Sequence, residues 1–175
     1  MNWDGDVLTL ISLRSFSSVW FWIVVATSWS VISHNPLGVP FDMVMRARRQ
    51  GGQALQDLET MVGLQLRRRQ AILNSAGFVT VGGTAALMTA CAILGFRYGM
   101  EMAQALTLLL VPLTLVGLMR IRLMNRILAE GISGEALCKR LSWHRTGVQA
   151  IGLLAILITA LWGMWFNLNI RALGG

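Results

Sequence analysis

The fold class expected of this chain is all-α: an integral membrane protein with four transmembrane helices, both termini outside, and two basic cytoplasmic connections containing amphipathic helices. Three observations lead there. Only 13% of the 175 residues are charged, about half the usual share of a soluble domain. Four windows hold no Asp, Glu, Lys or Arg: Phe16–Ser33, Ala71–Phe96, Met102–Met119 and Thr146–Ile170. The basic residues gather in the two segments between the first and second and the third and fourth windows. A spanning helix needs roughly 17–25 apolar residues, because each adds about 1.5 Å across a hydrocarbon core of about 30 Å. Lipid cannot satisfy bare backbone, so such windows must be helical. The expected spans are 16–33, 71–96, 102–119 and 147–168, joined on the inner side by 34–70 and 120–146, in one transmembrane domain.

Charge sets the orientation. Arg46, Arg48, Arg49, Arg67, Arg68 and Arg69 lie in the first connection; Arg120, Arg122, Arg126, Lys139, Arg140 and Arg145 lie in the second. Short loops rich in Lys and Arg stay in the cytoplasm, which places both on the inner face of a bacterial inner membrane. The arginines from Arg46 to Arg69, with Arg120, Arg122 and Arg126, are therefore candidate anchors to anionic phospholipid, each worth about 1 kcal/mol near such a surface. Asp4 and Asp6 suit an outer start. That acidic start and the lack of an A-x-A site argue for a retained anchor rather than a cleaved signal. Trp20, Trp22, Trp162 and Trp165, with Phe96 and Tyr98, form an expected outer aromatic belt; Trp29 and Trp143 form an inner one.

In chain order, residues 4–14 read as a short interfacial lead-in. The first span carries Ser18, Ala26, Ser30 and Ser33, small enough for close helix approach. Pro36, Gly38 and Pro40 then force a turn. A short helix follows until Gly51 and Gly52. Leu55, Leu58, Val62 and Leu66 recur at steps of three and four, which makes an amphipathic helix. It is expected to lie on the inner membrane surface, dock on a partner, or run on into the second span. In that span Gly82, Ala86 and Ala90 form a small-residue row, and Ala76, Thr80 and Thr84 a second, open to contact within the chain or with a partner helix. "FRYGME" is a tight outer turn in which Arg97 faces Glu101. In the third span Pro112 predicts a kink, and Gln104 predicts an interhelical hydrogen bond near the outer side. The second connection reads as helix, break at Gly131–Gly134, and a second short helix. A faint internal echo pairs Gly52-Gln53-Ala54-Leu55 with Gly134-Glu135-Ala136-Leu137.

Few residues carry chemistry. Cys91 and Cys138 fall at depths too different for a disulfide, and no cysteine cluster, phosphate loop, serine elbow or carboxylate pair is present. No span holds an ionisable side chain, which argues against a pump or coupled transporter. The one metal-type arrangement is His34 with His144, which would share a haem if the first and fourth helices touch. No other cofactor is expected, and no nucleic-acid partner.

The run Leu13–Thr60, "LRSFSSVWFWIVVATSWSVISHNPLGVPFDMVMRARRQGGQALQDLET", and the stretch Gly99–Leu106, G-x-x-x-A-Q-A-L, resemble small inner-membrane proteins of alphaproteobacteria that carry the label "component of SufBCD complex". That resemblance implies a part in iron–sulfur cluster assembly. The residues themselves suggest a non-catalytic accessory, assembly or scaffolding subunit of a larger bacterial inner-membrane complex, respiratory or photosynthetic. Its expected partners are other integral membrane subunits, anionic phospholipid and further copies of itself. The alternatives are a small haem-binding redox subunit using His34 and His144, a homo-oligomeric pore built on Gly82, Ala86 and Ala90, and a membrane anchor for a cytoplasmic enzyme docked on Leu55–Leu66.

Overall fold

A computed structural model describes residue 16 and residues 18–173, and among them there are helices and turns but no strand. The helices are α1 (Val19–His34), α2 (Phe41–Gln50), α3 (Gly52–Ala92), α4 (Glu101–Glu130) and α5 (Gly134–Leu173), with a 3-10 turn at Pro36–Gly38 and a π-helical turn, Ile93–Arg97, extending α3. The expected lead-in at 4–14 lies outside the described residues, as do Asp4 and Asp6.

Helices α3, with its π-turn, α4 and α5 are each long and apolar enough to cross a membrane, and α1 is a shorter apolar helix. At 41 and 40 residues, α3 and α5 are each about 60 Å long, twice a bilayer core. Each therefore has an apolar half and a basic half. α3 forms an antiparallel hairpin with α4, α4 another with α5, α1 packs along α5, and α2 packs on α3 and α5.

Glycine makes the breaks. Gly131 sits at φ +58° and closes α4, with its N–H and that of Ile132 both donating to the Ile127 carbonyl. That left-handed closure is open to glycine at no steric cost. Gly52 (φ +46°) and Gly134 (φ +62°) open α3 and α5, so the two echoing tetrapeptides start the two longest helices. Leu37 is the single non-glycine residue with positive φ among the described residues, at +55°. It is almost wholly buried, so packing offsets the strain of that conformation.

The largest core lies at the basic end. Leu37, Val39, Val44 and Ala47 meet Leu58, Val62 and Leu66 of α3, Leu123, Met124 and Ile127 of α4, and Leu137, Cys138 and Leu141 of α5. The two basic connections thus fold against each other into one packed unit, with most of their arginines around its outside. Of the readings open for Leu55–Leu66, the structure shows the third: the segment runs straight into the second apolar window, and Leu58, at 0% exposure, is internal, which corrects the surface-helix alternative. The face expected to lie on lipid or hold an enzyme is already covered by α4 and α5. The second connection also differs from expectation. The break at 131–133 is present, but the helices beside it are prolongations of those that carry the third and fourth apolar windows. α4 runs through Pro112 as one helix.

A smaller core joins α1 to the apolar half of α5: Val25 and Trp29 with Val116, Val148 and Ala155. A Cβ added at Gly152 would lie 2.8 Å from the Trp29 ring, and one at Gly163 3.0 Å from Phe16. These two pairings run α1 antiparallel to α5 along most of its apolar length. Trp29 is accordingly buried between helices rather than set in an interfacial belt, while Trp20, Trp143 and Trp165 are exposed.

Candidate functional site

At the end away from the basic core, the π-turn brings α3 hard against α4. A Cβ at Gly95 would lie 2.7 Å from the backbone nitrogen of Gln104. Wide π-turns disturb the helical hydrogen-bond ladder, and here the Gly95 carbonyl accepts from Gln104 Nε2 at 2.9 Å. The Trp162 indole N–H donates to Gln104 Oε1 at 3.0 Å. Buried Gln104 thus ties three helices together, as its expected interhelical role requires. Trp162 also packs edge-on to Phe96 and beside Trp165. Glu101, expected to face Arg97, accepts the backbone N–H of Phe16 at 2.7 Å.

Between these contacts and the basic core, α3 stands away from the bundle. Phe78 is 92% exposed, and Val79, Val81 and Leu87 are also well exposed. No atom lies within 4 Å of a Cβ placed at Gly82 or Gly83. Gly82, Ala86 and Ala90 are exposed, and Phe78 heads the same row, four residues before Gly82. Among the described residues the row therefore has no packing partner.

Where α3 and α4 converge towards the basic end, a cleft of about 440 Å³ opens between them, lined by Gln65, Arg68, Arg69, Ile72, Leu73 and Thr80 on α3 and by Gly117, Arg120, Ile121 and Met124 on α4. Arg68 and Arg69 enter this cleft and Arg67 does not, so the arginine triplet is split between two faces. Arg120 Nε is buried without a hydrogen-bond partner. Burial, and then the like charge of Arg69, lower its pKa.

A second hollow of about 270 Å³ between α4 and α5 is lined by Met119, Arg122, Leu123, Arg126, Arg140, Trp143 and His144. His144 is buried with Nε2 unpartnered. Burial, followed by the Arg120 charge, holds its pKa below the usual imidazole range. His34 is exposed at the end of α1 and lines neither hollow. The two histidines therefore share neither of these hollows. Arg46, Arg48 and Arg49 are exposed on α2, and Arg145 stacks 3.8 Å over the Phe41 ring, a cation–π contact that fixes α2 to α5. Cys91 and Cys138 are free and buried at opposite ends of the molecule; burial raises the Cys138 pKa. Among the described residues no group of three or more His, Cys, Asp or Glu is placed to hold a metal.

Sequence reading missed two carboxylate contacts. One is Glu101 with Phe16. The other is Glu59, whose Oε1 accepts the Gly134 N–H at 2.6 Å and so caps α5 from α3. Neither has a local signal, since the partners are 85 and 75 residues apart. Comparison with protein-family models, curated proteins and solved structures finds no match to this chain.

Proposed function

We propose that this chain crosses a bacterial inner membrane four times and serves as a non-catalytic accessory or scaffolding subunit of a larger membrane complex. The observation that carries this is the free face of α3: an exposed phenylalanine followed by a row of small residues, with no neighbour among the described residues. Small-residue rows let helices approach closely, and van der Waals packing then holds them in lipid. A second integral membrane helix suits that face. Three further features support the membrane placement. The apolar halves of α3, α4 and α5 are each of spanning length; α1, though about 24 Å long, follows α5 through most of its apolar half; and the arginines surround one end, which the positive-inside rule puts in the cytoplasm. The packed basic unit is then a cytoplasmic base that holds α3 upright. For the iron–sulfur role that the family resemblance implies, the two cysteines, Cys91 and Cys138, lie at opposite ends of the molecule, so it would be one of assembly rather than ligation.

A photo-crosslinking residue at Ala86 tests the reading in intact cells. The expected product is an adduct with another integral membrane polypeptide, weakened by Gly82→Ile and unaffected by Val81→Ala on the other side of the helix. An adduct of twice the chain mass would make the partner a second copy. Adducts to lipid alone would overturn the proposal. For topology, Gln50→Cys should resist a membrane-impermeant maleimide applied outside intact cells.

A further inference from the structure

We propose that the cleft between α3 and α4 holds one anionic phospholipid, with its phosphate against Arg68, Arg69 and Arg120 and an acyl chain along Ile72, Thr80 and Gly117. It rests on the membrane placement proposed above. The cleft is amphipathic along its length. Gln65 to Thr80 spans 15 residues of one helix, about 22 Å, from the basic core to well inside the apolar half. Its volume of about 440 Å³ falls within the ~300–1,000 Å³ of ordinary ligand pockets. Beyond its arginines, away from the basic core, it is lined by Ile72, Leu73, Thr80 and Gly117, which is the order of head and tail in the inner leaflet.

One of these cations has a buried donor that is unmet. Arg120 Nε is buried and unbonded, and the charged group that bears on it is another arginine, Arg69. Glu59, the carboxylate nearest in sequence to the triplet, is already engaged with Gly134. Two like charges brought together with a buried, unmet donor are costly to hold, and a phosphate would relieve both faults with charge-assisted bonds. A free phosphate would leave the apolar half unfilled, as would an acidic side chain. The exposed stretch of α3 beside the cleft gives a lipid lateral access.

The test uses the full chain, purified in mild detergent and mixed with dioleoylphosphatidylglycerol or dioleoylphosphatidylcholine, with retained lipid read by native mass spectrometry. Phosphatidylglycerol should be retained on the order of tenfold more strongly, which is about 1.4 kcal/mol. The pair Arg69→Gln and Arg120→Gln should abolish that preference, and Arg46→Gln with Arg49→Gln on α2 should keep it. Gly117→Leu provides a second route: nothing lies within 4 Å of a Cβ there, so the chain should fold, and the added side chain should displace the lipid tail. Equal retention of the two lipids, equal loss in the α2 variant, or full displacement by millimolar inorganic phosphate would overturn the proposal. Failure of the topology is separable: Gln50→Cys labelled from outside, with lipid preference intact, would reverse the orientation and leave the lipid site standing.

Discussion

The indole of Trp162 and the side-chain amide of Gln104 meet at 3.0 Å, with Trp162 donating, and the same amide donates on to the Gly95 carbonyl. One glutamine therefore closes the end of the bundle where the π-turn leaves the helical ladder. Gln104→Leu removes both bonds and should cost on the order of 1 kcal/mol in a thermal or denaturant melt in detergent. Gly95→Ala should cost about 1–3 kcal/mol, since its Cβ meets backbone that cannot yield. Gly82→Ala, with open space around it, should leave the isolated chain at least as stable, because alanine is the better helix former.

The contact of α1 with α5 should show a repairable clash. Gly152→Ala places a methyl 2.8 Å from the Trp29 ring and should lower the melting temperature. Trp29→Leu in the same chain makes room, and the pair should be more stable than the sum of its single effects, as contacting residues couple. A double-mutant cycle measures that coupling; strict additivity would mean the two helices do not touch as described.

Glu59 holds the first turn of α5 from a different helix. Glu59→Ala leaves the Gly134 N–H unmet and removes negative charge from a helix N-terminus. It should cost about 1 kcal/mol. Hydrogen exchange should localise the effect, with faster exchange at residues 134–138 and no change around Gln104.

His144 gives the basic end a pH dependence. Its folded-state pKa lies below that of the unfolded chain, because burial and then Arg120 oppose the imidazolium. The unfolded chain therefore binds the proton more readily, and stability rises with pH across that window. The stabilisation is complete above the unfolded imidazole value of about 6.5 and is lost as pH falls towards the folded value. Melts of the native chain at pH 7 and pH 5 should differ by more than those of His144→Gln, the difference between the two gaps being the part due to this histidine.

Much of the architecture was legible in the residues. Uncharged windows gave the apolar helices, glycines gave the breaks at 51–52 and 131–134, and Gln104 stood out as a polar group that needed a partner. What the residues left open was continuity. A span and an amphipathic helix that follow without a glycine or proline between them are one helix, as Leu55 to Ala92 proves, yet the change of periodicity at Arg67–Arg69 looks like a boundary. The periodicity of Leu58, Val62 and Leu66 announced a buried face but not its cover, which comes from Met124, Leu137 and Leu141 far along the chain. The split of the arginine triplet between two faces likewise depends on where α4 stands.

An unbroken rod of about 60 Å has no joint. Because α3 passes from Gly52 to Ala92 without interruption, any lean forced on its free half by a neighbour must swing the other half too, against the leucines that surround it at the base. The stretch between Leu66 and Cys91 is the part of the rod with room to lean. A push on the free half is thus felt at the arginine-covered foot without a messenger.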